Sequence, residues 1–240
     1  VTRASVALGF ALAVVSGCAA PIEDESLGAV VDDEVEPELI GGEKTTRFRA
    51  IGRLDVDFDG HQGTCTATLV GPAVALTAAH CVGFANGVDR PNRKVRLVLG
   101  ARRHRAVEWR VFGRAYGRRD LALLRLDEKS SIRPFAIATA PPDETPVRAV
   151  GFGGSRCKYD GDHDQKPVKR WLRFTWRTVS PDLDVLCRGD SGGPVIGPEG
   201  VFAVASAIRA DAVDRSREDL FAHVEAAQTE LRSQLERWNR

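Results

Sequence analysis

No two of the five cysteines in this 240-residue chain are spaced C-x-x-C, which leaves a zinc site or a thioredoxin-like redox pair without a basis. Aromatic residues are sparse at 7% and the apolar share is ordinary, so neither a membrane bundle nor a disordered polymer is indicated. The apolar stretch ASVALGFALAVV at 4–15 spans about a dozen residues, too few for a bilayer crossing of roughly 20. There is no methionine, and Val1 opens the chain as a literally read GTG start codon would. No internal repeat is detectable. Basic residues are missing from Ala19 to Glu38, where Glu23, Asp24, Glu25, Asp32, Asp33, Glu34, Glu36 and Glu38 stand alone.

Setting aside those eight acids and Arg3 leaves 33 basic and 25 acidic residues beyond position 38, a surplus of eight bases. The main domain is therefore basic, behind an acidic leader. Its bases concentrate between Arg90 and Arg119, where eleven Lys or Arg face a single acid, Glu108. Such a run reads as a solvated face on strand ends; the other reading is a seat for the leader or for an anionic polymer. No stacking pattern of aromatics is interleaved with it, so nucleic acid is not an expected partner.

Residues 1–18 read as an export signal: Arg3, the apolar run, then Val15-Ser16-Gly17-Cys18. The last four resemble the lipobox of bacterial lipoproteins. That resemblance implies a lipid on Cys18 as the sole membrane attachment, and Ala19 after it implies outer-membrane sorting. The plainer reading is a cleaved signal peptide and a protein secreted after processing. Without Cys18, four cysteines remain, enough for two disulfides in an oxidising compartment. Residues 19–38 lack turn chemistry and periodicity and read as a propeptide or tether.

Beyond Leu39 come short β-type runs broken by Gly, Pro and Asp: FRAIGRLDV, TCTATLV, AVALTA, KVRLVLG, AVEWRV and LALLRL. A Pro-rich, aperiodic stretch at 127–146 follows, and then VRAVGF, VKRWLRFTWRTV, GPVIG, VFAVASAI and DLFAHV. Val224, Ala227, Leu231 and Leu235 fall at helical spacing. Two groups of strands about a linker predict an all-β fold of two packed barrels, 39–135 and 136–223, closed by a helix at 224–240.

The stretch LCRGDSGGPV at 186–195 carries three overlapping motifs. Arg188-Gly189-Asp190 is an adhesion tripeptide, and Gly189 to Gly193 fits the G-x-S-x-G elbow of α/β-hydrolases. The hydrolase elbow needs an Asp and then a His after the serine, on alternating βα units, and barely fifty residues without that pattern remain. A serine becomes a nucleophile only beside a base that a third group orients. LTAAHC at 76–81 offers His80 as that base, and RDLALLRL at 119–126 offers Asp120 to orient it. These two segments and GDSGGP, in the order His, Asp, Ser, resemble the three signature segments of the chymotrypsin (trypsin-like, S1) family over residues 39–238.

The resemblance implies two six-stranded Greek-key barrels and a serine endopeptidase with His80, Asp120 and Ser191 as its triad. It implies an oxyanion hole from the Gly189 and Ser191 N–H groups. LIGG at 39–42 resembles the family's activated N-terminus, which implies a zymogen cut between Glu38 and Leu39, with Ile40 as the alternative start. The new α-ammonium would then pair with Asp190, turned inward and useless for adhesion. A glutamate-specific or broad protease would be the activating partner, since the family's basic residue before the cut is replaced by Glu38. The histidine-loop bridge becomes Cys65–Cys81. The family places a partner for Cys187 beyond VASAI, where this chain has none, and a Cys157–Cys187 bridge is expected instead. Val185 and Ile208 align with pocket positions and imply a small apolar residue before the scissile bond. Asp219 either restores basic specificity or caps a strand. Peptide substrate, monomeric state, and neither cofactor nor metal complete the expectation.

Overall fold

The computed structural model describes the backbone of residues 42–58, 61–83, 94–153, 167–177, 186–210 and 217–240, and the side chains of all these except 58, 61, 208–210 and 217–219. β1 (Glu43–Lys44) opens this part. Six strands follow: β2 (Ile51–Phe58), β3 (His61–Gly71), β4 (Val74–Thr77), β5 (Lys94–Leu99), β6 (Arg102–Val111) and β7 (Ala122–Leu126). They close into an antiparallel barrel in the order β2-β3-β4-β7-β6-β5. Alternation drives the closure, since successive side chains of a strand point to opposite faces. Ile51, Leu54 and Val56 of β2 are buried, while Arg53, Asp55 and Asp57 between them keep solvent contact. β5 repeats the pattern, with Val95, Leu97 and Leu99 inside and Lys94 and Arg96 outside.

The Pro-rich stretch runs along both halves. Ser130 and Phe135 donate to the Pro72 and Leu69 carbonyls of the barrel, and Ala138 then bonds the Val201 carbonyl beyond it. The second half forms β8 (Pro146–Gly151), β9 (Arg170–Thr175), β10 (Pro194–Gly197), β11 (Gly200–Ala210) and β12 (Arg217–His223). With β1 as an edge these make a six-stranded sheet in the order β1-β9-β8-β10-β11-β12. The all-β expectation holds.

Two details depart from the sequence reading. β1 belongs to the second sheet: Glu43 pairs with Trp171, and buried Arg170 donates to the Gly42 carbonyl at 2.9 Å. The closing helix α1 covers Gln228–Asn239, and Val224–Ala227 before it winds as a tighter 3₁₀ turn. Val224 and Ala227 are buried there, so core contact rather than helix propensity sets that turn. α1 lies back on the first barrel, where a side chain at Gly71 would meet Asn239 and Leu235. One apolar core joins barrel residues such as Leu54, Leu76 and Leu124 to Val204 and to Leu231 of the helix.

Candidate active site

His80 sits in a single 3₁₀ turn, Ala79–Val82, directly after β4. Gly83 ends the turn in the left-handed region, φ 104°, which costs little without a Cβ. The Cys65–Cys81 disulfide ties the turn to β3 across 16 positions, a constraint worth about 3 kcal/mol for a loop of this size. Asp120 lies just ahead of β7, fully buried, its amide bonded to the Gly117 carbonyl.

The two side chains meet closely. The His80 amide donates to Asp120 Oδ1 at 2.9 Å, and His80 Nδ1 stands 2.7 Å from Oδ2. Ser206 of β11 donates its hydroxyl to the same Oδ2 at 2.6 Å. Burial pushes the Asp120 carboxyl up, but the hydrogen bonds and charge of His80, with the Ser206 bond, outweigh it and hold the group below its ordinary value. Asp120 is thus a carboxylate at neutral pH. Its acceptor oxygen fixes the Nδ1–H tautomer of His80 and leaves Nε2 as the acceptor.

Ser191 stands on the turn before β10, partly exposed. Gly189 and Gly192 flank it with φ of 103° and 79°. A side chain at Gly192 would run into Thr77 Oγ1 and the Thr66 carbonyl. The turn is held from both halves of the molecule. Thr66 of β3 donates its amide to the Ser191 carbonyl at 2.8 Å and its hydroxyl to the Gly189 carbonyl at 2.8 Å. From the other side, Gly192 donates to the Ala205 carbonyl at 2.7 Å and Ala205 to the Gly193 carbonyl at 2.8 Å. Among the described residues, no hydrogen bond joins Ser191 Oγ to His80 Nε2, and neither the Gly189 nor the Ser191 N–H has an acceptor.

Asp190 is turned inward at 2% exposure. Its carboxylate accepts from the Gly153 amide at 2.7 Å and the Cys187 amide at 2.9 Å. Gly151 and Gly153 leave room for it, since a Cβ at either would strike the carboxylate. Arg188-Gly189-Asp190 is therefore not displayed for adhesion. Cys65, His80 and Cys81 bring three potential metal ligands together, but both sulfurs are spent on the disulfide. Cys187 is also disulfide-bonded. Cys157, Cys18, Leu39, Ile40 and Val185 lie outside the described residues, as do the side chains of Ile208 and Asp219. The backbones of these last two pair directly across β11 and β12.

Three residues of the site were not singled out from the sequence: Ser206, Thr66 and Tyr116. Tyr116 stacks on the His80 imidazole at 4.8 Å and 29° with its own φ at 60°. Ser206 and Thr66 are single polar residues within apolar strands, and only their partners reveal them.

A family model, Trypsin, matches residues 40–229. The chain belongs to the trypsin family and is a serine-type endopeptidase. It is 26% identical to trypsin theta of Drosophila melanogaster over 226 residues, 79% of this chain and 82% of the relative. Snake venom serine proteinase 14 of Crotalus adamanteus is 26% identical over 195 residues, 66% of this chain and 71% of its own length. Among solved structures, GrC superposes with a TM-score of 0.62 at 15% identity, over 81% of this chain and 98% of its own. Human heparin binding protein does so at 0.59 and 18%, over 80% and 94%. At such identities these two establish the two-barrel fold alone. The relatives named are animal proteins, so the bacterial lipoprotein reading rests on residues 1–19 alone.

Proposed function

We propose that the chain cleaves peptide bonds through an acyl-enzyme on Ser191, and that it is made as a zymogen. His80 Nε2 takes the proton from Ser191 Oγ as the oxygen adds to the scissile carbonyl. Asp120 orients the imidazole and stabilises its cation. The Gly189 and Ser191 N–H groups receive the oxyanion, each contributing roughly 3 kcal/mol to the barrier's reduction. Collapse expels the amine, protonated by His80, and water hydrolyses the ester by the same route reversed. The observation that carries this is Asp120 bonded to both the amide and Nδ1 of His80, which leaves Nε2 as the ring's basic nitrogen. Catalytic hydrogen bonds are often long or poorly aligned without substrate and tighten on binding.

Asp190, buried beneath the Ser191 turn, supports the activation step: a cut before Leu39 would supply an α-ammonium to that carboxylate and set the oxyanion hole. Val185 and Ile208 favour a small apolar residue before the scissile bond, and Asp219 a basic one. Relative kcat/KM on Ala and Arg p-nitroanilides decides between them. Export, with Cys18 as lipid carrier, completes the proposal; a palmitate analogue should label the wild type and not Cys18→Ser.

The decisive experiment is labelling with a fluorophosphonate before and after processing. Adduct on Ser191 of the processed chain is expected. A processed, folded chain that takes no label would be a silent homologue, and the catalytic reading would be wrong.

A further inference from the structure

A cavity of about 350 Å³ opens at the β5–β6 hairpin. The hairpin turns through Gly100 at φ 58° and Ala101. Arg49, Arg102 and Lys169 stand around the cavity, and no acid is among the described residues that line it. Lys169 is fixed in place, its ammonium donating to the Phe48 carbonyl at 2.9 Å and the Arg47 carbonyl at 3.1 Å. That clamp also holds the turn carrying Arg49, where Phe48 adopts a φ of 54°, uncommon for a residue with a Cβ. Leu99 and Ile132 supply apolar wall, and Ser130 and Ser131 supply hydroxyls.

His104 also lines this space, and it is the anomaly. It is only 3% exposed, yet neither ring nitrogen has a hydrogen-bond partner among the described residues. Buried polar groups nearly always find one. The strand period turns His104 inward from a run of arginines, opposite Leu97, with Arg103 and Arg105 pointing out on either side. Both ring nitrogens are sealed from solvent on the barrel side, so what the cavity itself presents is the cations of Arg49, Arg102 and Lys169.

We propose that this cavity is a binding site for a small organic oxyanion: a phosphate, sulfate or carboxylate on a compact apolar body. The anionic head takes charge-assisted hydrogen bonds from Arg49 and Arg102 and sits beside the Lys169 ammonium. Leu99 and Ile132 receive the body. The space exceeds what a bare inorganic ion fills, which is why an organic carrier is assigned. The inference does not rest on the peptidase reading.

Calorimetric titration of the whole chain with phenyl phosphate tests this, with phenol and inorganic phosphate as comparisons. Saturable binding of one phenyl phosphate is expected, weaker binding of inorganic phosphate, and none of phenol. Arg49→Gln with Arg102→Gln, both at exposed positions, should weaken it at least about tenfold. No saturable binding, or equal affinity in the arginine double variant, overturns the proposal.

Discussion

Ser206 and His80 meet on one oxygen, Oδ2 of Asp120, at 2.6 and 2.7 Å. One donor comes from a strand of the second sheet and the other from a turn on the first barrel. The carboxylate thereby joins the two halves at the site itself, and both donors stabilise its charged form.

Replacing Ser206 by Ala removes a donor from a fully buried carboxylate. A loss of about 1–3 kcal/mol in stability is expected, read from urea midpoints. The same change should lower kcat about tenfold with KM little altered, because the imidazole loses part of its positioning rather than its substrate contacts. Ser206→Thr keeps the hydroxyl and should recover most of the kcat. An Ala variant with unchanged kcat would leave Ser206 a purely structural residue.

The pH dependence of stability follows from Asp120. Its carboxyl lies below the ordinary 3.8 in the fold, so the unfolded chain binds the proton more tightly. Its contribution is present above that ordinary value and is lost as pH falls below it toward the folded pKa. Melting temperatures of the wild type and Asp120→Asn should therefore be well separated at pH 6 and converge at more acid pH, below about 4. A constant separation down to about pH 2 would contradict the assignment.

Ser191→Ala and His80→Ala should each remove nearly all activity, about a million-fold in kcat by comparison with well-studied triads. The double variant should be no worse than either, since the residues act as one unit. Additive losses would indicate separate roles. Circular dichroism of each variant checks that the fold survives.

Activation makes a prediction about ends. Removing residues up to Glu38 should raise activity by orders of magnitude, and N-terminal sequencing of the active species should read Leu-Ile-Gly-Gly. Pairing with Asp190 would raise the pKa of the α-ammonium above its usual value of about 8. The active conformer should therefore be favoured below that value and lost as pH rises through the folded pKa. An active species that retains the acidic leader would refute the zymogen claim.

Much of the fold was legible because alternation is a local property: β2 and β5 announce their inner faces residue by residue. β1 was not, because Glu43 and Lys44 are both exposed and carry no pattern; their pairing is written in β9. His80, Asp120 and Ser191 were legible from their flanking segments. Ser206 was hidden in VASAI, where one small polar residue among apolar ones looks like filler. His104 was absorbed into a run of bases that charge alone assigns to the surface, and only the strand period turns it inward.

The first and last elements of the described residues are exchanged between the two halves. β1 edges the second sheet although the next six strands build the first barrel, and α1, which follows the second sheet, rests on the first. Arg119 of the barrel side also bonds Glu230 of the helix at 2.6 Å. A polypeptide folded this way behaves like a clasped belt. A nick within 127–145, between the halves, would leave each fragment still gripping the other by its terminus. Calorimetry should then show one melting transition for the nicked protein as for the intact one, and either half made alone should fail to fold until its complement is added.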